Sequence, residues 1–563
     1  MDPQPLPEPA PEVVRAVRAK YPGRQVPLPV AVRDRLGEVF ADAAFAEAFA
    51  ATGPRGWSPG RLALITVFQM AENLTDRQAA EAVRDKLSWA YALGLGLEDP
   101  GFDFSILSEF RARVAHGLEE KVLDLLLAAL KDQGLLGAGG KQRTDSTHVL
   151  TAVRNLNRTE LAGEAVRAAL EALTCVAPHW VAQVIDVPGW SRRYGARIDT
   201  WRMPASQTKR DQLAVDFGRD GFALLKAVYD PAAPAWLRQI PAVEVLRTVL
   251  LQNYTRTTGP NGWEVVKRRE ADSEGLPPGQ LRLTSPYDTD ARWGVKGEMF
   301  WNGYKLHISE VCTDAAEDDR ERPNLITNVA TTDATVPDVK ALDGIHAQLQ
   351  RRKLLPTEHY LDSGYASAEL IVGSLPRYGV ALITPVLADT SRQARTRQGF
   401  DAAQFVIEWA TEQVRCPQGH TSSSWSPCTQ RGRSMIVVKF AKATCGPCPV
   451  RPACTTSKRG YRQLSVHPRA LTATLRTART AQASRDWKAE YALRAGVEGA
   501  IGQAVAVTGL RRARYRGLAK THLEHVFSAV ALNLIRLDAW WQGRPLDRTR
   551  TSHLTRLELA LAA

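Results

Sequence analysis

Two aspartates lie where their side chains could hold metal ions. Asp145 falls in the short β-prone run QRTDSTHVL, and Asp362 ends the predicted strand in EHYLDSGY. An acid at the carboxyl end of a strand points into the crevice where open α/β sheets bind ligands. An aspartate at a strand end is also common as a turn or N-cap residue, so either aspartate alone is a weak signal.

The chemistry available to such a pair is phosphodiester cleavage and transfer. Enzymes of that kind use carboxylates to bridge two Mg²⁺ ions about 4 Å apart, one near the nucleophile and one near the leaving oxygen. Mg²⁺ prefers oxygen ligands and keeps some water, so two or three carboxylates are sufficient. The question is therefore which acids converge.

A later helix, DWKAEYALRAGVEGAIGQ, offers a third acid. Tyr491, Arg494 and Glu498 are spaced by three and four residues, so their side chains share one helix face. The small residues near Glu498 (Gly496, Gly499 and Ala500) allow that face to approach a sheet or DNA closely. Glu490 and Glu524 are competing acids, and we expect Glu490 to pair with Arg494 at the surface.

Five of the seven cysteines fall between residues 416 and 454. Reduced cytosolic thiols that cluster in this way indicate metal binding more than disulfides. The spacing is similar to a zinc ribbon, in which four protein ligands close a structural tetrahedral site. We predict a structural zinc on Cys416, Cys445, Cys448 and Cys454, with His420 and Cys428 as possible substitutes.

Basic charge is concentrated at the C-terminal end. Residues 431–563 carry 24 Lys and Arg against 7 Asp and Glu, whereas the rest of the chain is slightly acidic. Such a segment suits a polyanion, because each neutralised phosphate releases counterions. The run Arg511, Arg512, Arg514 and Arg516 with Lys520 is expected to contact the DNA backbone. A solvated helix face is the alternative.

Residues 58–115 have the pattern of three short helices. Ser58 and Thr75 are predicted N-caps, and Thr75 with Gln78 forms a capping box that starts a helix expected to run to Gly94. A third helix is expected after Asp103. Two helices, a polar turn and a further helix are typical of a helix-turn-helix DNA reader, and equally of a small helical bundle.

The whole pattern predicts an α/β protein with added helical parts. We expect a flexible tail over 1–24 and an all-α DNA-binding domain over 25–140. A sheet domain is expected over 141–390, with a helical insertion at about 150–280. We then expect a Cys-rich insertion over 391–467, the second part of the sheet domain over 468–545, and a basic tail over 546–563. With 44% hydrophobic and 24% charged residues, the composition is that of an ordinary globular protein. We expect a cytoplasmic protein, because no secretory signal or membrane-length apolar run is seen.

Several motifs in order resemble the DDE transposases of bacterial insertion sequences. They are Tyr-x-x-Arg-x-x-x-Glu at 491–498, TDST around Asp145, WNGYKLHISE around Tyr304 and Lys305, LDSGYAS around Asp362, and GLRRARYRGLAKTHLEHVFSAVALNL after the helix. TDRQAAEAVRDKL and SEFRARV are similar to the InsH-like DNA-binding domain of the same elements. The resemblance covers about residues 25–545.

The resemblance implies an RNase H-like catalytic domain in which a mixed sheet carries the first two acids and a later helix carries the third. It implies two Mg²⁺ ions, replaceable by Mn²⁺, on Asp145, Asp362 and Glu498. Tyr491 and Arg494 would contact a phosphate, and Tyr304 and Lys305 would contact DNA. One departure is Val505, where the family often has a lysine, so the basic run after the helix is expected to take that role.

The predicted function is cleavage of the ends of an insertion sequence and joining of the 3′-hydroxyls to target DNA. The implied partners are double-stranded DNA, namely the terminal inverted repeats and the target, and further copies of the chain. Two alternatives stay open: a nuclease of the same fold that does not rejoin DNA, and a DNA-binding regulator that has lost catalysis.

Overall fold

The computed structural model describes residues 3–23, 25–49, 56–115, 117–260, 262–270, 275–312, 322–387, 389, 391–396 and 399–544, with Leu554, Leu557 and Leu561. The tail predicted over 546–563 lies outside the described residues except for those three leucines. No helix within the described ranges has the length and apolar character needed to cross a membrane.

The described residues of the N-terminal part form seven α-helices. Ser58 and Thr75 cap helices as predicted, and the capping box of Thr75 and Gln78 is present. The helix expected from Thr75 to Gly94 is broken at Lys86, where the backbone becomes extended. The helices are α1 (Pro11–Lys20), α2 (Leu28–Leu36), α3 (Pro59–Ala71), α4 (Asp76–Asp85), α5 (Leu87–Leu93), α6 (Ser105–Val114) and α7 (Glu119–Asp132).

The predicted flexible tail over 1–24 is wrong over Pro11–Lys20, where the chain forms helix α1. Pro11 occupies the first turn of α1, where its missing N–H costs nothing, and Val13 and Val17 on this helix are fully buried. Pro11, one of the prolines that suggested an irregular tail, therefore begins a packed helix.

The first strand, β1 (Lys141–Leu150), is followed by a helical insertion that ends in an unpredicted β-hairpin. The insertion has its own apolar core, which includes Val166, Phe217 and Leu246. Its elements are α8 (Arg158–Val176), α9 (Pro178–Val184), α10 (Val187–Tyr194), α11 (Gln207–Val228), α12 (Pro241–Asn253), β2 (Tyr254–Thr258) and β3 (Glu264–Arg268).

The remaining strands complete a mixed six-stranded sheet around β1. They are β4 (Arg292–Lys296), β5 (Met299–Val311), β6 (Ile326–Asp333), β7 (Glu358–Leu361) and β8 (Ala381–Ile383), with helices α13 (Asp338–Arg351) and α14 (Ala368–Tyr378) between them. The order is β5-β1-β7-β8, with β4 and β6 pairing to successive parts of β5. β5 is antiparallel to β1, whereas β7 and β8 continue in parallel.

The Cys-rich segment forms small sheets around a separate core of Phe405, Val438, Phe440 and Leu464. β9 pairs with β10, and β11, β12 and β13 form a second sheet. The elements are α15 (Arg392–Thr396), β9 (Val406–Glu408), β10 (Gln413–Arg415), β11 (Ser424–Gln430), β12 (Arg433–Lys439), α16 (Lys442–Cys445), α17 (Arg451–Cys454) and β13 (Gln463–Val466).

Between residue 467 and residue 544 the structure describes the α-helices α18 (Arg469–Ala481), α19 (Arg485–Tyr491), α20 (Gly496–Thr508) and α21 (Leu518–Trp541). α21 is the centre of the molecule, because it packs on β6 on one side and on α3 and α7 on another. Phe527 of α21 meets Phe110 of α6 edge to face at 6.4 Å between ring centroids. The N-terminal helices therefore share one apolar core with the sheet.

Candidate active site

The register of two parallel strands brings the predicted aspartates side by side. Thr144 of β1 pairs with Leu361 of β7. Asp145 is the next residue of β1, and Asp362 directly follows the last residue of β7, so the two aspartates lie side by side at the same level of adjacent strands. From the sequence alone, Asp145 or Asp362 could have been an ordinary turn aspartate. The pairing of β1 with β7 is what brings the two residues together.

Asp145 is almost buried, with 7% of its surface exposed. One carboxylate oxygen accepts a hydrogen bond from the Ser146 amide at 2.7 Å. Burial raises the pKa of Asp145, and the charge of Arg494 opposes that rise, while nearby Asp362 adds to it. A positive neighbour therefore favours the ionised form of this buried carboxyl group.

Arg494 links the first acid to the predicted third acid. Its Nη2 donates to Asp145 Oδ2 at 2.5 Å, and its Nη1 donates to Glu498 Oε1 at 2.8 Å. Burial lowers the pKa of the guanidinium, but the negative charges around it, first that of Asp145, raise the pKa overall. Glu498 is 63% exposed at its side chain, in the first turn of α20, so it projects into solvent beside the pair.

Tyr491 and Gly496 hold this helix region against the sheet. The Tyr491 hydroxyl donates a hydrogen bond of 3.1 Å to the carbonyl of Leu361, the residue directly before Asp362. The hydroxyl is therefore directed toward the sheet. A Cβ at Gly496 would lie 1.9 Å from Nη1 of Arg143, whose guanidinium donates to the Leu493 carbonyl. The predicted need for a small residue is confirmed at Gly496, whereas Gly499 faces open space.

The two competing acids are placed elsewhere. Glu490 accepts a hydrogen bond from the Tyr360 hydroxyl at 3.0 Å, so the expected pairing with Arg494 is wrong. Glu524 is fully buried, and its carboxylate accepts from the Arg514 amide at 2.8 Å. Among these three glutamates, Glu498 is the one tied to Asp145 through Arg494.

Sequence reasoning missed a further acid next to the pair. Asp338, in the first turn of α13, accepts from Ser146 Oγ and from Lys305 Nζ, both at 3.0 Å. A Cβ at Gly364 would lie 3.0 Å from Asp362 and 3.3 Å from Asp338, so the two acids flank that glycine. The sequence pointed to Asp338 only through Pro337-Asp338 at the start of a helix. The same pattern is common at helix N-termini that have no role in catalysis, so it did not identify a site residue.

The predicted DNA contact of Tyr304 is wrong. Tyr304 is fully buried and its hydroxyl donates to Asp288 at 2.5 Å. A side chain enclosed in this way cannot reach DNA. Its neighbour Lys305 is partly exposed at 17% and lies beside the acids through Asp338, as the motif around it suggested.

The basic run forms a loop between α20 and α21 that is joined to the end of β1. Leu150 accepts from the Ala513 amide at 2.8 Å and donates to the Arg511 carbonyl at 2.9 Å. The Arg511 guanidinium reaches Thr147, two residues beyond Asp145. Arg512 and Arg516 are exposed.

Arg514 and Lys520 are partly buried, unlike the exposed Arg512 and Arg516 of the same run. Arg514 points toward the N-terminal helices, where it donates to the Leu74 carbonyl at 2.7 Å and to Asn73. This guanidinium joins two parts of the fold, which corrects its expected role as a DNA contact. Lys520 lies half-buried in the first turn of α21.

The predicted zinc ligands lie around one small cavity of about 30 Å³. Cys416, Cys445, Cys448 and Cys454 line it together with His420, whereas Cys428 on β11 does not. Burial raises the pKa of Cys454, the nearby Arg462 opposes this, and the neighbouring thiols add to the rise. The chain thus gathers the four cysteines that spacing alone selected.

Neither set of candidate ligands is arranged as a finished metal site. Within the described ranges, no group of three or more His, Cys, Asp or Glu side chains is placed to hold a metal ion. At the acids, the guanidinium of Arg494 lies between Asp145 and Glu498. The donor types nevertheless fit: carboxylate oxygens are the donors of Mg²⁺ sites, and thiols are the donors of structural zinc sites.

Two families of known proteins match this chain. The family described as "Transposase DDE domain" matches residues 415–538, which include Arg494, Glu498 and the basic loop. The family described as "Transposase domain (DUF772)" matches residues 23–113 in the N-terminal helices. No curated protein and no solved structure matches the chain. The two family matches support a DDE transposase of an insertion sequence.

Proposed function

We propose that this transposase cleaves DNA at the ends of its element and joins the freed 3′-hydroxyls to target DNA at a centre formed by Asp145, Asp362 and Glu498. The observation that carries the proposal is the strand register that sets Asp145 beside Asp362, with Glu498 tied to Asp145 through Arg494. DNA is the substrate that the matched families imply.

The sheet supports an RNase H-like catalytic domain. Its two aspartates lie on adjacent parallel strands of a mixed sheet, and the glutamate lies on a later helix that packs against β1 and β5. Two acids at a mixed sheet and a third on a later helix is the arrangement that the resemblance implies, and this likeness supports the proposal. The helical insertion and the Cys-rich segment each have a core of their own, so they interrupt the domain without disturbing the sheet.

Asp145, Asp362 and Glu498 would hold divalent ions, Mg²⁺ or Mn²⁺, which when bound supply activation of a nucleophile and stabilisation of the leaving oxygen. The charge of Arg494 lowers the pKa of Asp145, against the rise that burial causes. The exposed side chain of Glu498 can change rotamer, because its contact is with Arg494. Arg494, once released from Asp145, can reach a phosphate in the same crevice.

Basic residues near the acids are suited to hold the DNA backbone. Arg511 reaches the strand that carries Asp145, and Arg512 and Arg516 extend the charge along the loop. Their guanidinium groups would bind phosphates and fix the position of the DNA without reading its sequence. We assign sequence recognition to the N-terminal helices, where the exposed face of α4 carries Arg77.

We further propose a structural zinc on Cys416, Cys445, Cys448 and Cys454. Four protein ligands would leave no open position, so the ion would stabilise the segment and take no part in the reaction. The small size of the core around Phe405 and Val438 favours this assignment, because segments with little buried apolar surface commonly depend on a metal for folding.

The function is tested with DNA that flanks the gene of this protein. Purified protein, Mg²⁺, an end-labelled flanking duplex and a supercoiled plasmid are incubated together. We expect nicking at the element end, followed by covalent joining of the labelled strand to the plasmid. Cleavage without joined product would instead assign a nuclease, and protection from footprinting reagents without cleavage would assign a DNA-binding regulator.

A further inference from the structure

Asp338 is a carboxylate that adjoins the proposed active site without being one of its three acids. It lies in the first turn of α13, and 16% of its side chain is exposed. A Cβ at Gly364 would come close to an oxygen of Asp362 and to an oxygen of Asp338, so the two carboxylates lie on either side of this glycine. Asp338 therefore shares the crevice in which the ions are proposed to bind.

Each oxygen of the Asp338 carboxylate has a partner on a different strand. Oδ2 accepts a hydrogen bond from Ser146 Oγ of β1, and Oδ1 accepts one from Lys305 Nζ of β5, both at 3.0 Å. Lys305 also donates to the carbonyl of Val336, which lies two residues before Asp338, at 2.8 Å. These contacts fasten the start of α13 to both strands.

Ser146 connects Asp338 to the first acid of the active site. It directly follows Asp145 on β1, and its amide donates to Asp145 Oδ1 at 2.7 Å. The same residue thus holds Asp145 with its backbone amide and reaches Asp338 with its hydroxyl. A displacement of Asp338 would therefore shift the amide that orients the Asp145 carboxylate.

Two buried side chains lie in the interior behind these contacts. The Tyr365 hydroxyl is 2.6 Å from Nδ1 of His307, and His307 lies opposite Ser146 in the pairing of β5 with β1. Burial, and then the negative charge of Asp338, hold the pKa of the Tyr365 hydroxyl well above its ordinary value, so this group stays neutral. The turn after Asp362 is thereby anchored to β5, which also carries Lys305.

The charges around the glycine are unequally balanced. Asp362 has no ion pair among the described residues, and its carboxylate accepts a hydrogen bond from the Gly364 amide at 2.9 Å. Asp338 on the other side is paired with Lys305. Because neighbouring carboxylates repel each other, the charge of Lys305 favours the ionised form of Asp338 at this position.

We propose that Asp338 is a positioning residue for the ion site: by binding Ser146 it fixes the orientation of the Asp145 carboxylate. The inference rests on the proposed function, because it takes Asp145 as an ion ligand. Groups that hydrogen-bond behind ion ligands orient them, and their loss commonly weakens ion binding by about 10–100-fold. Lys305 thereby has a role, as the partner of Asp338, that requires no contact with DNA.

Binding of Mn²⁺ to the protein without DNA tests the proposal, measured by isothermal titration calorimetry. Asparagine at position 338 can offer its oxygen to Ser146 or to Lys305 but not to both, so Asp338→Asn should bind Mn²⁺ about tenfold more weakly than the wild type. Asp343→Asn is the matched control, since Asp343 is on the same helix but its carboxylate accepts from Tyr378 at the surface. This control should bind Mn²⁺ as the wild type does.

A second variant, Ser146→Ala, separates positioning from an effect of charge. It removes the hydroxyl that joins Asp338 to β1 and keeps every charge and the backbone amide, so the protein should fold with a melting temperature near that of the wild type. Mn²⁺ binding should again weaken by about tenfold. Wild-type Mn²⁺ binding by Ser146→Ala would overturn the proposal, because Asp338 would then act through its charge alone.

The Mg²⁺ dependence of end cleavage gives a further measurement. Asp338→Asn should need about tenfold more Mg²⁺ for its half-maximal rate, and the rate at saturating Mg²⁺ should return close to that of the wild type, because no proposed ligand is lost. Glu498→Gln should stay inactive at every Mg²⁺ concentration. A rate of Asp338→Asn that is lowered equally at all Mg²⁺ concentrations would contradict a role in ion binding.

The outcomes are distinct from those for the proposed function. Equal Mn²⁺ affinity of Asp338→Asn and the wild type, with cleavage by the wild type intact, would overturn the positioning role and leave the proposed function standing. A wild-type protein that neither binds Mn²⁺ nor cleaves DNA would overturn both.

Discussion

Arg494 donates a 2.5 Å hydrogen bond to Asp145, although 349 residues separate the two in the chain. The contact places the helix motif directly on the first acid. It also opposes the effect of burial on the pKa of Asp145. The arginine therefore has two expected roles, one in setting the ionisation of the acid and one in contacting a phosphate.

Replacing Arg494 should change the pH dependence of cleavage. Burial holds the pKa of Asp145 above its ordinary value, and loss of the Arg494 charge should raise it further. Because the carboxylate form is needed, activity is lost as pH falls through this pKa, so the acidic limb of Arg494→Ala should move to higher pH. Arg494→Lys should keep the limb near its wild-type position, with cleavage about a hundredfold slower.

The measurement is the pH–rate profile of end cleavage for the wild type and both variants. An acidic limb that stays in place in Arg494→Ala would show that Arg494 does not set the ionisation of Asp145. The lysine variant controls for charge alone, since it retains a cation but not the planar pair of donors that spans Asp145 and Glu498.

Glu524 should make the stability of the protein depend on pH. Burial raises the pKa of Glu524 to about 7, although the Arg514 amide and guanidinium oppose this. The stabilising contribution is present below the unfolded pKa and is lost as pH rises through the folded pKa. Relative to Glu524→Gln, the wild type should lose on the order of 3 kcal/mol of unfolding free energy between about pH 5 and about pH 8.

Urea unfolding of both proteins at several pH values measures this difference. The comparison with the glutamine variant removes the contribution of other titrating groups, such as the buried His525, which both proteins share. A free-energy difference that stays constant over the range would show that Glu524 does not change its protonation there.

Two arginines of the basic loop should behave differently. Arg512 is exposed and unpaired, so Arg512→Ala should weaken binding to all DNA sequences alike and lower the salt slope by about one. Arg514 joins the loop to Leu74 and Asn73, so Arg514→Ala should reduce stability by about 1–3 kcal/mol with little change of salt slope. Salt titrations of DNA binding and thermal melts test the pair, and equal salt slopes for both variants would contradict it.

Zinc should be found at about one ion per chain and should stabilise residues 410–460. Chelation should increase hydrogen exchange in this segment, because thiolate ligation supplies folding energy. Cys445→Ser should lose the metal, whereas Cys428→Ser should keep it, since Cys428 lies outside the cavity that the other cysteines line. If elemental analysis finds no zinc in protein prepared without chelator, the proposed zinc site is wrong.

Sequence patterns correctly predicted the features that depend on residues close together in the chain. The Thr75 capping box, the strands that carry Asp145 and Asp362, and the close approach at Gly496 follow from short-range patterns, and the structure confirms them. The break at Lys86 and the packed helix α1 were missed, because propensity alone does not show where tertiary contacts override it.

Long-range contacts were beyond the reach of the sequence. Nothing near Tyr304 indicates that its hydroxyl meets Asp288 in the interior, and nothing near Arg514 indicates that it reaches Asn73. The same holds for Asp338, whose approach to Ser146 depends on how α13 packs on the sheet.

Glu498 is proposed as the third acid of the active site. The most direct test compares the cleavage rates of Glu498→Gln and Glu490→Gln on one labelled end duplex with Mg²⁺. Both changes remove one charge and keep side-chain size, but Glu498 contacts Arg494 beside Asp145 and Glu490 contacts Tyr360. Glu498→Gln should lose cleavage by at least about a thousandfold while still binding the duplex, and Glu490→Gln should cut at near the wild-type rate. Near-normal cutting by Glu498→Gln, with an inactive Glu490→Gln, would contradict the account.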